Sequence, residues 1–123
     1  MLHEEFERIV MEKLLAGDSD ILAMLRQQYL HSSIVSREYT GCGFFTEFDV
    51  PDHLATIIIN GRIDDVMAKF PDTEVYHFIL YITNGKIDTL EGFSTLNDWH
   101  YAYEKAEIKY CFENKRDFEL ILI

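Results

Sequence analysis

Residues 77–93, HFILYITNGKIDTLEGF, constrain the fold of this chain more than any other stretch. Asn84-Gly85 separates two runs rich in apolar and β-branched residues. A two-residue type I′ turn needs positive φ at both central positions, and Asn-Gly supplies it at little steric cost. The stretch therefore predicts a β-hairpin with Asn84-Gly85 at its tip. Before the turn, Phe78, Leu80 and Ile82 alternate with Ile79, Tyr81 and Thr83. Both faces of that strand carry apolar or β-branched side chains, which places it well inside a sheet.

The same period of two appears on either side. Residues 34–40, IVSREYT, predict one strand and 44–50, FFTEFDV, the next, with Gly41-Cys42-Gly43 as a tight turn or bulge between them. Phe44, Thr46 and Phe48 point one way; Phe45, Glu47 and Asp49 point the other. A local echo then relates INGRIDDV, read with Ile59 set aside, to ITNGKIDTL at a shift of 24 residues. It predicts a second Asn-Gly hairpin, with strands at 55–59 and 63–70 and its turn at Asn60-Gly61. Residues 94–97 read as a loop or cap, and 98–105 as either a helical turn or a strand. Residues 107–113 alternate again through Ile108, Tyr110 and Phe112. Asn114-Lys115 is a turn, and 117–123, DFELILI, a final strand that ties the C-terminus into the sheet.

Only the N-terminal third has helical spacing. Over 3–16, Phe6, Ile9, Val10 and Leu14 form a stripe, broadened by Met11 and Leu15, with Lys13 at its edge. Glu4, Glu5 and Glu7 favour the positive end of that helix, and Gly17 stops it. Asp18 or Ser19 caps a second helix over 20–31, whose Ile21, Leu22, Leu25 and Tyr29 face the core. The expected architecture is α+β: an N-terminal helical hairpin packed on an antiparallel sheet of about six to eight strands.

With 123 residues the chain fits one domain, and its nine Phe, seven Tyr and one Trp supply a core. A domain of this size buries about 65–70% of its unfolded surface. No apolar run reaches the roughly 20 residues of a membrane helix, and the acidic N-terminus does not read as a secretion signal. Together with two cysteines, Cys42 and Cys111, at no metal-ligand spacing, this points to the cytoplasm. The formal net charge is −11. Such a field repels nucleic acid and anionic membrane and attracts basic partners, although acidity also serves solubility.

No motif carries specific chemistry. His3, His31, His53, His77 and His100 are scattered without ligand spacing, so no metal is expected. His77 reads as a structural histidine in a strand. Gly41 and Gly43 precede a strand, leaving no helix N-terminus to hold phosphate. Cys42 lacks a neighbouring base. Asp64 and Asp65 are adjacent in the sheet region and face opposite ways. Glu91, a carboxylate inside an apolar strand, calls for a partner such as Arg37 or Arg62. No cofactor and no catalytic residue is expected.

The segments SREYTGCGFFTEF, IDDVMAKF and NGKIDTLEGF, with Trp99 beyond them, resemble a set of small uncharacterised bacterial proteins. Their pattern runs Ser-Arg-Glu-Xaa-Thr-Gly-Xaa-Gly-Phe-Phe-Thr, then Gly-Asp-Val, Leu-Glu-Gly-Tyr/Phe and Trp-Pro. Ser36 to Thr46 and Leu90 to Phe93 fit it; Asp64 and His100 replace its glycine and proline. The resemblance covers about 10–99 and implies a compact cytosolic domain with no transferable activity. Some small acidic proteins of this kind look like immunity proteins, which neutralise a toxin encoded beside them.

The leading expectation is therefore a non-catalytic acidic binding protein, an immunity protein against a basic nuclease-type toxin domain. Its expected contact residues are Glu47, Asp49, Asp64, Asp65 and Glu91, with Tyr101 and Tyr103 as aromatic anchors. The alternative is a small-molecule binder or enzyme with a pocket between helices and sheet, using Glu38, Glu91 or His77. A third reading is a homodimer formed through the terminal strand.

Overall fold

A computed structural model describes residues 1–72, 74–94, 99, 102–113 and 115–122, with the side chains of 121 and 122 excluded. Two helices, α1 (His3–Leu14) and α2 (Asp20–Leu30), pack on one face of an eight-stranded antiparallel sheet. The strands are β1 (Ser33–Thr40), β2 (Gly43–Asp49), β3 (Ile59–Ile63), β4 (Val66–Lys69), β5 (Val75–Thr83), β6 (Lys86–Ser94), β7 (Glu107–Tyr110) and β8 (Phe118–Leu122). The path across the sheet is β1-β2-β6-β5-β3-β8, with β4 joining β5 to β7. The α+β class and the N-terminal helical hairpin stand as expected. No helix among the described residues is long and apolar enough to cross a membrane.

The Asn84-Gly85 turn forms as its chemistry requires, with φ of 50° and 80°. Ser19 caps α2 by accepting a hydrogen bond from Leu22 N at 3.1 Å. The inner face of the sheet buries Phe44, Phe48, Ile59, Ile63, Tyr76, Phe78, Leu80, Ile82, Ile87 and Leu90. Against it α1 sets Phe6, Val10, Met11 and Leu14, and α2 sets Leu22, Met24 and Leu25. An aromatic stack closes one end: Trp99 lies on Tyr76 at 3.8 Å and Tyr103 on Phe6 at 4.0 Å.

The second Asn-Gly pair makes no hairpin. Asn60-Gly61 runs through the middle of β3, where Gly61 pairs with Ile82 on one side and Leu120 on the other. Gly61 has φ +152°, and a Cβ there would lie 2.0 Å from Glu119 O, so the close approach of β8 accounts for the glycine. Strands β3 and β4 lie end to end along β5. Between Ile63 and Met67, four residue steps oppose three on β5, a bulge centred on Asp64 and Asp65. On the far side, β7 and β8 run along β4 and β3, with 111–113 and 115–117 outside both strands.

The side chain of Gln28 supports the hairpin from below. Fully buried, it donates to Leu54 O and Gly85 O at 3.2 and 2.6 Å and accepts from Ile87 N at 2.9 Å. Gln28→Ala would leave buried backbone groups without those partners, which typically costs about 1–3 kcal/mol per group. A loss of roughly 2–3 kcal/mol in chemical denaturation is expected; a loss below about 0.5 kcal/mol would show that water replaces the amide.

Candidate functional site

Alternation along the strands sends one set of side chains away from the helices, and the register aligns them in rows. One row runs Glu38, Phe45, Glu91, Ile79 across β1, β2, β6 and β5. The next runs Ser36, Glu47, Thr89, Tyr81, Arg62, Glu119 across six strands. A third sets Phe93, His77, Met67 and Lys109 side by side. Both helices pack on the opposite face, so these rows form an open surface among the described residues.

Its centre is apolar and aromatic. Phe45 and Tyr81 are each 36% exposed, and Ile79, Phe93 and Met67 are half-buried around them. His77 stacks on Phe93 at 5.5 Å, so it belongs to this surface rather than to the core. The margin on the β1–β2 side is acidic, with Glu38, Glu47 and Asp49 exposed, while Glu91 on β6 stands half-buried within the centre, between Phe45 and Ile79. Tyr81 donates to Glu91 Oε1 at 2.9 Å, and its hydroxyl is raised above its ordinary pKa by burial and by that carboxylate.

Glu47, Asp49 and Glu91 thus share one face. Asp64 is exposed across the sheet, where Arg62 Nε donates to it at 3.1 Å and also lies 3.6 Å from Glu119 through Nη2. Neither expected arginine pairs with Glu91. Arg37 is turned under the sheet to Glu7, and Tyr81 takes the Glu91 position instead.

Two expected contact residues are interior. Asp65 is 2% exposed because the bulge places it on the core side. Arg116 clamps it, donating from Nε to Oδ2 at 2.7 Å and from Nη2 to Oδ1 at 3.0 Å. Tyr103 is also 2% exposed, stacked on Phe6. Both are corrected from surface contacts to structural groups. Tyr101 and His100 lie outside the described residues, as do 95–98 of the segment left open above; Tyr103–Lys105 forms a 3-10 turn.

A second polar cluster lies beneath β1 and β2, with no local sign of it in the sequence. Glu7, 2% exposed, accepts from Thr46 Oγ1 at 2.6 Å and from Arg37 Nε and Nη2 at 3.2 and 2.9 Å. His3 Nε2 lies 3.4 Å from Glu7, and His3 Nδ1 lies 2.9 Å from the Tyr103 hydroxyl, which also accepts from Trp99 Nε1 at 2.9 Å. Burial pushes the Glu7 carboxyl up, but hydrogen bonds from His3, Arg37 and Thr46 outweigh it and hold the pKa at about 2. A carboxylate so firmly ionised and enclosed is a poor general acid or base near neutral pH.

The pocket imagined between helices and sheet does not contain Glu38, Glu91 or His77, which all lie on the open face. A groove of about 740 Å³ does lie between the helices, lined by Leu15, Ala16, Tyr29 and Leu30 with Arg8 and Arg26. Arg26 spends Nη1 on Leu15 O and Gly17 O, closing the end of α1. Among the described residues no three His, Cys, Asp or Glu side chains converge as a metal cage. Both cysteines are free, and burial followed by the charge of Asp65 raises the pKa of the Cys111 thiol. The chain matches no family model, no curated protein and no solved structure.

Proposed function

We propose that this chain is a non-catalytic acidic binding protein, an immunity protein that neutralises a basic, nuclease-type toxin domain by direct contact in the cytoplasm. The observation that carries this reading is the open sheet face, with an aromatic and apolar centre that holds Glu91 and is bordered on one side by Glu38, Glu47 and Asp49. Interfaces draw their affinity from buried aromatic anchors and their association rate from complementary charge. In this reading Phe45, Tyr81 and Phe93 supply the first, and the carboxylates supply the second by standing where a nuclease binds substrate phosphates. The net charge of −11 extends that field over the whole chain and opposes binding to nucleic acid or anionic membrane.

The test is a binding titration against a basic nuclease domain encoded beside this chain. The double variant Glu47→Lys/Glu91→Lys alters the open face and leaves the helix-side core intact. Its affinity should fall roughly 10- to 100-fold, mostly through slower association at low salt. Phe45→Ala should instead speed dissociation. Unchanged affinity in both variants would remove the open face from the interface.

A further inference from the structure

Strand β1 is a sheet edge, pairing with β2 alone among the described residues. The register shifts between Ile34 and Ser36 and is then unbroken from Ser36 to Thr40. Along that regular stretch, backbone N–H and C=O groups point away from the sheet toward a position that no described strand occupies. Sheet edges are ordinarily blunted by Lys or Pro, and 36–40, SREYT, contains neither. Its one basic side chain, Arg37, is committed to Glu7 beneath the sheet.

Both flanks of this edge favour a cationic neighbour. On the open face, Glu38 and Glu47 are exposed, and Ser36 Oγ donates to Glu47 Oε2 at 3.4 Å. On the helix side, a cavity of about 360 Å³ opens between α1 and β1, lined by Glu4, Glu5, Glu7, Arg8, Ile34 and Arg37 among others. Three carboxylates there face two guanidinium groups. Arg37 is bonded to Glu7 and lies 4.0 Å from Glu4 through Nη1, and Arg8 leans 3.8 Å from Glu12, so the three carboxylates outweigh the two guanidinium groups and Glu4 and Glu5 leave the mouth negative. Ile34 and Tyr39, 40% and 50% exposed, add apolar contact along the same edge.

We propose that β1 receives an extended segment of a basic polypeptide as an added strand. Cationic side chains on its outward positions meet Glu38 and Glu47, and one long cationic side chain on its inward positions enters the α1–β1 cavity toward Glu4 and Glu5. In this mode the backbone ladder supplies affinity and the cavity supplies specificity. The inference rests on the proposed function, because it names how the same basic partner is held, and the edge is continuous with the open face through Glu38.

The probe is an octapeptide of alternating lysine and valine, compared with a copy N-methylated at alternate amides and with a glutamate–valine peptide. The lysine peptide should bind and slow amide hydrogen exchange within 36–40. Glu4→Gln/Glu5→Gln should weaken it roughly three- to tenfold, and N-methylation or the glutamate sequence should abolish binding. Equal binding by the methylated peptide, or unchanged exchange within 36–40, would overturn strand addition. The two readings fail separately. If the basic domain protects β1 but is indifferent to Phe45→Ala/Glu91→Lys, the edge stands and the open face falls. If the domain is lost in that variant but never protects β1, the edge proposal falls.

Discussion

Replacing Asp65 with alanine is expected to cost roughly 3–5 kcal/mol of folding stability, the range for breaking one side of a buried ion pair. The carboxylate is 2% exposed and accepts from Arg116 at both oxygens and from Asp117 N at 2.9 Å. Its own carbonyl accepts from Cys111 N at 2.9 Å, so the bulge at Asp65 is held both to Cys111 and to Arg116-Asp117. Arg116 reaches further. It donates to Leu14 O at 2.7 Å and to Ala16 O, the open carbonyls at the end of α1, and lies over the Tyr110 ring at 4.5 Å. Removing Asp65 strands this guanidinium beside the core and loosens helix, bulge and terminal strands together. Arg116→Ala should be comparably damaging, and the double variant should cost much less than the sum, since the two residues act as a unit. Urea denaturation gives all three values; a loss below about 1 kcal/mol for Asp65→Ala would mean that solvent reaches and satisfies Arg116.

The second large effect concerns acid. Glu7 has its carboxyl held at about 2 in the folded chain, against 4.5 for the unperturbed group. A depressed folded-state value means that the native chain binds fewer protons than the unfolded one between those limits. The stabilisation is present in full above about pH 4.5 and is lost as pH falls toward about 2, amounting to about 3 kcal/mol in all. Other carboxylates contribute to acid denaturation, so the informative quantity is a difference. Stability measured from pH 5 to pH 2 should fall more steeply in the wild type than in Glu7→Gln, and the variant should be less stable at pH 6. Parallel curves would show that Glu7 does not carry the depressed value.

These two clusters explain where the sequence was legible. Side-chain alternation placed Glu47 and Asp49 opposite Phe44, Thr46 and Phe48, because a period of two is a purely local property; that Glu91 shares their face follows from the pairing of β6 with β2. The Asn84-Gly85 turn was legible for the same reason. Asn60-Gly61 has the same chemistry but a different fate, since β8, nearly sixty residues downstream, pairs across Gly61 and turns the dipeptide into strand. Tertiary pairing overrides turn propensity there. Asp65 and Tyr103 looked like surface contacts because a one-residue bulge reverses facing and because a tyrosine after Trp99 gives no sign of what it stacks on. Apart from His3 beside Glu7, the hydrogen-bond partners of Glu7, Gln28 and Arg116 lie 26 to 102 residues away, so little in their neighbourhoods marks them as buried. The visible part of the candidate site was its acids; the aromatic centre between them depends on strand order, which brings Phe45 beside Glu91 and Ile79.

The central claim is that this chain disarms a basic partner through its acidic open face without chemistry of its own. The most direct measurement is growth of cells expressing a basic nuclease-type toxin domain together with this chain, paired with capture of the complex at low and high salt. The account predicts that the wild type restores growth and forms a complex that salt weakens, while Glu47→Lys/Glu91→Lys folds normally, binds weakly and fails to rescue. Rescue by the charge-reversed variant, or a complex indifferent to both salt and those substitutions, would contradict it.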